Sequence, residues 1–456
     1  MTEETTPRAD IETAKTADWT EADFADYPEF PTLQKRWDWF QDQKIGLLMH
    51  WGLYAVAGIV ESWQLSDEDT WARGKHPFRP NMKQLKHDYW GLAKQFDPEN
   101  YDPAAWANLF KEAGIRYTIL TTKHHDGFTL YDTQESDYKV TAPGMPYATG
   151  KYADLFKAYA EAMRAAGITP GAYYSKADWH HDDYWRHDDK PKGRGADYDP
   201  KDDPARWQRF VDFVHAQLLE IARNYGPLGM LWLDAGWVNT DREPLDFDTL
   251  MPKIREAQPD ILIVDRTLGG RYENYVTPER AIPTLATRPT MPWESNIPLS
   301  HDWGYVPHGD YKSINEIIDD ILKVVTLGGN IVLGIGPKPD GTLPREGVRL
   351  LKQLGGWLAI NGQGIYGTRG VADALVENAQ AQRLYITQNQ THYFLFPQRK
   401  VPQQAIDLKA LGLADTISAA HLLGYAEADL VIKDGLLFLP GGLRQKLTQG
   451  IALIKK

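Results

Sequence analysis

The sequence predicts an α/β fold: a (β/α)8-like barrel of the TIM type, followed by a small C-terminal antiparallel β-sandwich. The chain has 456 residues, which is enough for one large barrel and a small second domain. Short apolar runs alternate with amphipathic helical patterns over about 300 residues, which is typical of a parallel sheet covered by helices. Beyond residue 370 the runs become short and alternating, which is typical of an antiparallel sheet.

The apolar runs are expected to form parallel strands buried on both faces. They cover residues 45–50, 117–122, 171–174, 230–233, 261–264 and 331–335. Residues 151–167, 204–226, 313–327 and 344–360 carry apolar side chains at helical spacing. Near the C-terminus, Lys433-Asp434-Gly435 lies between two apolar runs and predicts a hairpin turn. We therefore expect a flexible leader over 1–30, the barrel over 31–365 and the β-sandwich over 366–456.

Composition and charge exclude several classes of protein. The net charge is −12 and the pI about 5.6, so neither nucleic acid nor a membrane is an expected partner. The absence of cysteine excludes a disulfide scaffold and a thiolate metal site. The first 30 residues lack the regions of a signal peptide, which leaves a cytoplasmic protein or a periplasmic or secreted one whose signal was removed. A homo-oligomer is left open. The 16 Trp and 23 Tyr favour carbohydrate weakly, because most such rings lie in cores.

Polar side chains follow five successive apolar runs, where each strand is expected to end. Catalytic groups of (β/α) barrels lie at the carboxyl ends of the strands, so these ends predict one shared polar pocket. The residues are His50 and Trp51 after the first run, His124 and His125 after the second, Tyr174 in the third, Asp234 after the fourth and Arg266 after the fifth.

Asp234 is the first candidate for a catalytic group. A lone aspartate after a strand more often caps a helix or pairs with an arginine, but here the neighbouring strands supply histidine, tyrosine and arginine. Glu279 and Glu294 could complement it in a retaining glycoside hydrolase, which needs two carboxyl groups about 5–5.5 Å apart. Trp293 beside Glu294 would raise its pKa by desolvation, as suits an acid. Either glutamate could instead be an exposed loop residue.

The histidines indicate contacts to sugar hydroxyls rather than a metal site. The segments His124-His125-Asp126 and 179–183 look like ligand clusters, but adjacent residues of a strand point to opposite faces and the H-E-x-x-H spacing is absent. No metal or other cofactor is expected. The sequence motifs of nucleotide-binding loops and serine hydrolases are absent as well, which disfavours those activities.

Around these residues the chain resembles the glycoside hydrolase family 29 α-L-fucosidases. The likeness covers residues 35–370, and its most specific segments are His50-Trp51-Gly52 and Lys123-His124-His125-Asp126-Gly127-Phe128. The resemblance implies a barrel followed by a β-sandwich. It also implies retaining hydrolysis of terminal α-L-fucose by double displacement, without a cofactor. The expected partner is then a fucosylated oligosaccharide or glycoconjugate.

The same resemblance implies catalytic roles. Asp234 matches the nucleophile, and Arg266 matches an arginine near the acid/base. Two glutamates match placements of the acid/base: Glu279 in a T-P-E segment is the first choice, and Glu294 in a W-E segment is the second.

Further residues are predicted to bind the sugar. They are His50, Trp51, His124, His125 and Tyr174 around the fucose, Glu61 and Trp63 in a segment lining the same pocket, and Trp237 and Trp293 against the C6 methyl group. Alternatives remain a transfucosylase, another retaining glycosidase, or a fucose-binding lectin-like protein without catalysis. Asp234 together with two candidate acids argues against the lectin.

Overall fold

A parallel sheet forms the centre of the chain in the computed structural model, which describes residues 24, 27, 30–74, 77–398, 404–425, 429–439 and 448–456. Seven strands of these residues lie in the order β5-β4-β3-β2-β1-β7-β6, and every adjacent pair is parallel. They are β1 Ile45–Met49, β2 Tyr117–Lys123, β3 Thr169–Ser175, β4 Met230–Asp234, β5 Leu262–Asp265, β6 Glu294–Pro298 and β7 Asn330–Ile335. All the predicted runs are confirmed as strands. The sequence did not predict β6, because Glu-Ser-Asn-Ile-Pro contains no apolar run.

An irregular segment between β5 and β6 closes the sheet. Val264 of β5 forms a bridge with Glu273, and Val276 and Glu279 form parallel bridges with Trp293 and with β6. The segment 273–279 therefore takes the place of an eighth strand of the barrel. No helix separates it from β5 along the described chain. The predicted TIM-like barrel is confirmed in this irregular form.

Helices cover the outside of the barrel, and several of their N-termini are capped by side chains. Asp102, Asp154 and Asp203 each accept a hydrogen bond of 2.9–3.1 Å from a backbone N–H in the first turn. Ser313 and Glu316 form a reciprocal capping box. The α-helices are α1 Phe30–Gln43, α2 Tyr54–Ala57, α3 Thr70–Arg73, α4 Met82–Trp90, α5 Pro103–Glu112, α6 Leu155–Ala166, α7 Pro204–Asn224, α8 Phe247–Ala257, α9 Ile314–Thr326, α10 Arg345–Asn361 and α11 Asp373–Ala381. The predicted helical segments are confirmed as α6, α7, α9 and α10.

Two antiparallel sheets follow the barrel, with strand orders β11-β14-β9-β8 and β10-β13-β12. Their strands are β8 Leu384–Gln388, β9 His392–Pro397, β10 Ala405–Asp407, β11 Ile417–Leu422, β12 Ile432–Lys433, β13 Leu436–Phe438 and β14 Ile451–Lys455. The expected C-terminal antiparallel domain is thus confirmed. The predicted hairpin joins β12 to β13, and Asp434 and Gly435 have φ of 54° and 79°, as a type I′ turn requires.

The predicted leader lies outside the described residues, apart from Phe24, Tyr27 and Phe30. Phe24 is buried, and its ring packs edge-on against Trp37 of α1, with centroids 5.5 Å apart. Among the described helices, none has the length and apolar character to cross a bilayer.

Two adjacent glycines of α10 test how closely this helix packs on α5. A Cβ atom at Gly355 would lie 2.2 Å from the carbonyl oxygen of Glu112, whereas a Cβ at Gly356 meets nothing within 4 Å. We expect Gly355→Ala to lower the free energy of unfolding by about 1–3 kcal/mol, because backbone must move. Gly356→Ala should raise it by about 0.5–1 kcal/mol through helix propensity. Urea unfolding measures both, and equal stabilities would contradict the close helix contact.

Candidate active site

One arginine links two carboxylates at the mouth of the barrel. Asp234 ends β4, and Arg266 follows β5 directly. Nη1 of Arg266 donates to Oδ1 of Asp234 at 2.8 Å, and Nη2 donates to Oε2 of Glu279 at 2.7 Å. The hydroxyl of Tyr173, in β3, donates to Oδ2 of Asp234 at 2.6 Å. Asp234 and Glu279 therefore lie on either side of a single guanidinium group.

These contacts keep Asp234 ionised. Burial alone would raise the pKa of Asp234, but the charge of Arg266 and the hydrogen bond from Tyr173 contribute to a pKa well below its ordinary value. Burial would lower the pKa of Arg266, yet Asp234 and Glu279 raise it overall. The guanidinium also lies over the ring of Trp232, 4.5 Å from the centroid. Arg266 and Asp234 therefore stabilise each other in their charged forms.

The indole of Trp303 holds the second carboxyl group. Its Nε1 donates to Oε1 of Glu279 at 2.9 Å, so both oxygens of Glu279 accept a hydrogen bond. Trp303 in turn stacks on the ring of His50, with centroids 5.3 Å apart. The Glu279 side chain is 28% exposed and that of Asp234 16%, so Glu279 is the more accessible carboxyl group.

Three buried histidines, His50, His124 and His125, complete the floor of the site. Burial is the largest cause that lowers their pKa, to about 4 for His124 and well below the ordinary value for the other two. Nδ1 of His124 bonds the Ser62 hydroxyl and Nδ1 of His125 bonds the Ser175 hydroxyl, both at 2.6 Å. A neutral imidazole offers one donor and one acceptor, as a sugar hydroxyl requires.

Aromatic rings and an arginine form the rim. Trp63 packs on Trp71 and Trp237, with centroids 6.0 and 5.9 Å apart. Arg194 lies over the Trp63 ring at 4.8 Å, and it donates to both oxygens of Asp69 at 2.6–3.2 Å. The loop after β3, which carries Arg194, is therefore tied to the loop after β1.

Most of the predicted site residues line this one cavity. The structure brings together His50, Glu61, Trp63, His124, Asp234, Trp237, Arg266 and Glu279. The ring of His125 contacts Trp63 and Trp237, with centroids 4.8 and 5.2 Å apart. Glu61 accepts a hydrogen bond of 2.7 Å from the backbone N–H of Gly304, which connects two loops of the mouth.

Tyr174 and Trp51, both predicted to bind the sugar, do not line the cavity. The hydroxyl of Tyr174 donates to Gln217 of α7 at 2.9 Å and accepts from Lys123 at 3.0 Å, so it lies between the barrel and the helices. Trp51 packs among other aromatic rings, and its indole donates to the carbonyl oxygen of Lys338 at 2.9 Å.

The second candidate acid, Glu294, also lies away from the cavity. It begins β6 instead of following a strand, and it is completely buried. The hydroxyl of Tyr117, the first residue of β2, donates to it, and burial raises the pKa of Glu294 to about 8. Trp293, which precedes β6, packs against Gly329. The structure thus places Glu294 and Trp293 at the amino-terminal end of the strands, opposite Asp234.

Several residues of the site were missing from the sequence prediction: Tyr173, which bonds Asp234, and a number of residues that line the cavity. Tyr173 was passed over in favour of Tyr174, because a strand buried on both faces shows no alternation that distinguishes neighbours. Trp71, Arg194, Arg280 and Trp303 lie outside the barrel strands, and no local pattern predicts where such loop residues meet. The two-residue period of a strand, counted from Ser175, could have favoured Tyr173.

One group of atoms resembles a metal site. A ligand atom from each of His124, His125 and Asp234 lies within 4.8 Å of the others. Both oxygens of Asp234 already accept hydrogen bonds, however, and the charge of Arg266 would repel a cation. The arrangement therefore suits sugar hydroxyls better than a metal ion.

A barrel that holds two carboxyl groups at its strand ends, in a cavity of tryptophans and neutral histidines, defines a glycoside hydrolase. The chain matches the family described as Alpha-L-fucosidase over residues 14–363, and it belongs to that family. Its activity is that of a retaining α-L-fucosidase acting on fucosylated glycans.

The chain is similar to alpha-L-fucosidases from several organisms. The tissue alpha-L-fucosidase of Homo sapiens is 28% identical over 75% of this chain and 72% of its own length. The alpha-L-fucosidase of Dictyostelium discoideum is 24% identical over 72% and 71%, respectively. The structure of alpha-L-fucosidase isoenzyme 1 from Paenibacillus thiaminolyticus superposes with a TM-score of 0.76 at 30% identity, covering 93% of this chain and all of that one. Thermotoga maritima alpha-fucosidase in complex with fucose gives 0.71 at 25%, covering 92% and 98%.

Variants of two adjacent tyrosines test the hydrogen bond that Tyr173 donates to Asp234. Tyr173→Phe removes a donor to Asp234, so the pKa of Asp234 should rise and the acidic limb of the kcat/KM profile should move to higher pH. We also expect kcat/KM to fall about tenfold. Tyr174→Phe is the matched control, since its hydroxyl bonds Lys123 and Gln217 instead. The pH profile on an aryl α-L-fucoside measures both. Equal shifts in the two variants would contradict the assignment.

The raised pKa of Glu294 predicts that the free energy of unfolding depends on pH. Its pKa is about 8 in the folded chain, against an ordinary 4.5. Between these values the folded chain holds a proton that the unfolded chain loses, so the free energy of unfolding falls as pH rises. Glu294→Gln removes this titration and keeps an acceptor for Tyr117, so its stability should decline less between about pH 5 and pH 8. Urea unfolding measures the decline, with the exposed Glu346→Gln as control. A slope equal to that of the wild type would contradict the neutral buried acid.

Proposed function

We propose that Asp234 is the nucleophile and Glu279 the acid/base of this fucosidase. One observation carries the assignment: the two carboxyl groups share the guanidinium of Arg266 at the carboxyl ends of the strands. A retaining hydrolase needs its two carboxyl groups close together, one ionised and one able to carry a proton. Glu294 is not held in this way, because it is buried at the other end of the barrel.

In the first step, Asp234 attacks the anomeric carbon of the bound fucose. The C1–O bond breaks, and Glu279 gives its proton to the departing oxygen. Tyr173 and Arg266 keep the nucleophile ionised and fix its orientation. Once Glu279 has lost its proton, the same guanidinium stabilises the new carboxylate.

In the second step, Glu279 acts as the base. It takes a proton from water, whose oxygen attacks C1 of the fucosyl-enzyme, and the bond to Asp234 breaks. Trp303 holds Glu279 in one orientation through both steps, since its indole N–H bonds Oε1. Two displacements at C1 restore the original configuration.

The sugar itself is held by neutral groups. His50, His124 and His125 pair with hydroxyls, because the nitrogens of a neutral imidazole can each donate or accept one hydrogen bond. In His124 and His125, Nδ1 already bonds a serine hydroxyl, which leaves Nε2 for the sugar. Trp63 and Trp237 supply apolar surface for the ring and its C6 methyl group. Such a pocket favours a 6-deoxy sugar over one with a hydroxyl at C6, which would remain unpaired against the rings.

Four variants with added azide test the two roles on an aryl α-L-fucoside. Asp234→Ala and Glu279→Ala should each lose about 10²–10⁴-fold in kcat. Azide should rescue both, but with different stereochemistry: α-L-fucosyl azide from Glu279→Ala, after two displacements, and β-L-fucosyl azide from Asp234→Ala, after one. Glu294→Gln should keep kcat within a few-fold. Rescue to the α-azide by a Glu294→Ala variant and not by Glu279→Ala would reverse the assignment.

A further inference from the structure

The position of the acid/base defines the side of the cavity on which the leaving group lies. Glu279 must reach the glycosidic oxygen, so the sugar attached to that oxygen lies next to Glu279. Arg280 and Trp303 both line the cavity beside it. This reasoning rests on the proposed function, and it directs attention to Arg280, which has no role in the two displacements described above.

The backbone of Arg280 is held in an unusual conformation. Its φ is 50°, in the left-handed region that residues with a side chain seldom adopt. The N–H of Arg280 donates to the carbonyl oxygen of Asn296 at 2.9 Å, and Glu279 forms a bridge with Asn296. The turn is thus fixed to β6 at the residue after the acid/base. Left-handed residues of this kind are concentrated at functional sites.

The guanidinium of Arg280 lines the cavity, and its one hydrogen bond to the part of the chain that the structure describes leaves other N–H donors available to a ligand. One of its nitrogens, Nη1, donates to the carbonyl oxygen of His301 at 2.7 Å, and the group lies over Trp303, 5.3 Å from the ring centroid. Among the described residues it forms no ion pair with a carboxylate. Its charge reaches the floor of the site, because after burial it acts together with the charge of Arg266 to lower the pKa of His50.

We propose that Arg280 is the binding residue for the leaving-group sugar, donating hydrogen bonds to a ring or hydroxyl oxygen of the sugar to which the fucose is attached. Arginine suits this role, since its planar fork presents several donors whose direction the Trp303 ring fixes. The substrate class is a fucosyl glycan with an oxygen acceptor close to the cleaved bond. An aryl fucoside, whose leaving group is a flat ring with few acceptors, makes less use of Arg280.

Paired substrates test this role. Arg280→Gln and Arg280→Lys are compared with wild type on a fucosyl disaccharide and on 4-nitrophenyl α-L-fucoside. The ratio of kcat/KM for the disaccharide to that for the aryl fucoside should fall about tenfold or more in Arg280→Gln. In Arg280→Lys, which keeps the charge without the fork, the ratio should fall less. Arg288→Gln is the matched control, because Arg288 pairs with Asp373 outside the cavity, and its ratio should stay at the wild-type value.

A second measurement separates leaving-group binding from a structural effect. Covalent inactivation by 2-fluoro-fucosyl fluoride expels only fluoride, so its rate should change much less in Arg280→Gln than disaccharide hydrolysis does. Equal losses on the two substrates, or a matching loss in the inactivation rate, would overturn the role of Arg280. If Arg280→Gln does not fold, the ratio in Arg280→Lys decides, and a wild-type ratio there overturns the inference. A wild type that cleaves neither fucoside would instead contradict the proposed function.

Discussion

The active site depends on keeping two carboxyl groups side by side, and the charge of Arg266 makes this possible. In the proposed mechanism Asp234 is ionised throughout the attack, and Glu279 gives up a proton and later takes one back. Arg266 divides its terminal nitrogens between Asp234 and Glu279, so its charge stabilises the carboxylate of Asp234 and that of Glu279 each time Glu279 has lost its proton. Its own position is set by the ring of Trp232 below it and by a hydrogen bond of 3.3 Å from Nε to Thr277. A shift of this one side chain would alter the orientation of both carboxyl groups.

The irregular part of the barrel is what brings Glu279 to Arg266. In a regular repeat, a helix would separate β5 from the next strand, but here a short loop leads straight into segment 273–279. Glu273 anchors that loop by accepting hydrogen bonds from the N–H groups of Thr267 and Gly269, at 3.3 and 2.5 Å. Arg266 begins the loop and Glu279 ends the segment, so both partners of the ion pair are positioned by the same fourteen residues, 266–279.

Sequence patterns predicted the barrel and the mouth well, but not the direction of individual side chains. Asp234, His124 and Arg266 were found because each follows an apolar strand, and the strand ends of a barrel converge. Hydrophobicity alone did not distinguish Tyr173 from Tyr174, since β3 is buried on both faces. The place of Glu294 in the fold was hidden for a related reason: β6 is polar, so nothing in its sequence indicated that Glu294 begins a strand. Trp303 and Arg194 reach the cavity from loops, through long-range packing that no local pattern encodes.

The charged groups of the proposed displacements are paired with one another. Burying an ion is costly unless it is paired, and Arg266 pairs with both Asp234 and Glu279. Around them, the histidines are kept neutral by burial, so they offer hydrogen bonds to hydroxyls without adding net charge. If His124 and His125 were protonated, their charge would act on Asp234 together with that of Arg266, since a ring nitrogen of each lies near that carboxylate. The neutral state therefore leaves Arg266 as the cation that pairs with Asp234, and it lets the imidazoles accept as well as donate hydrogen bonds to the sugar.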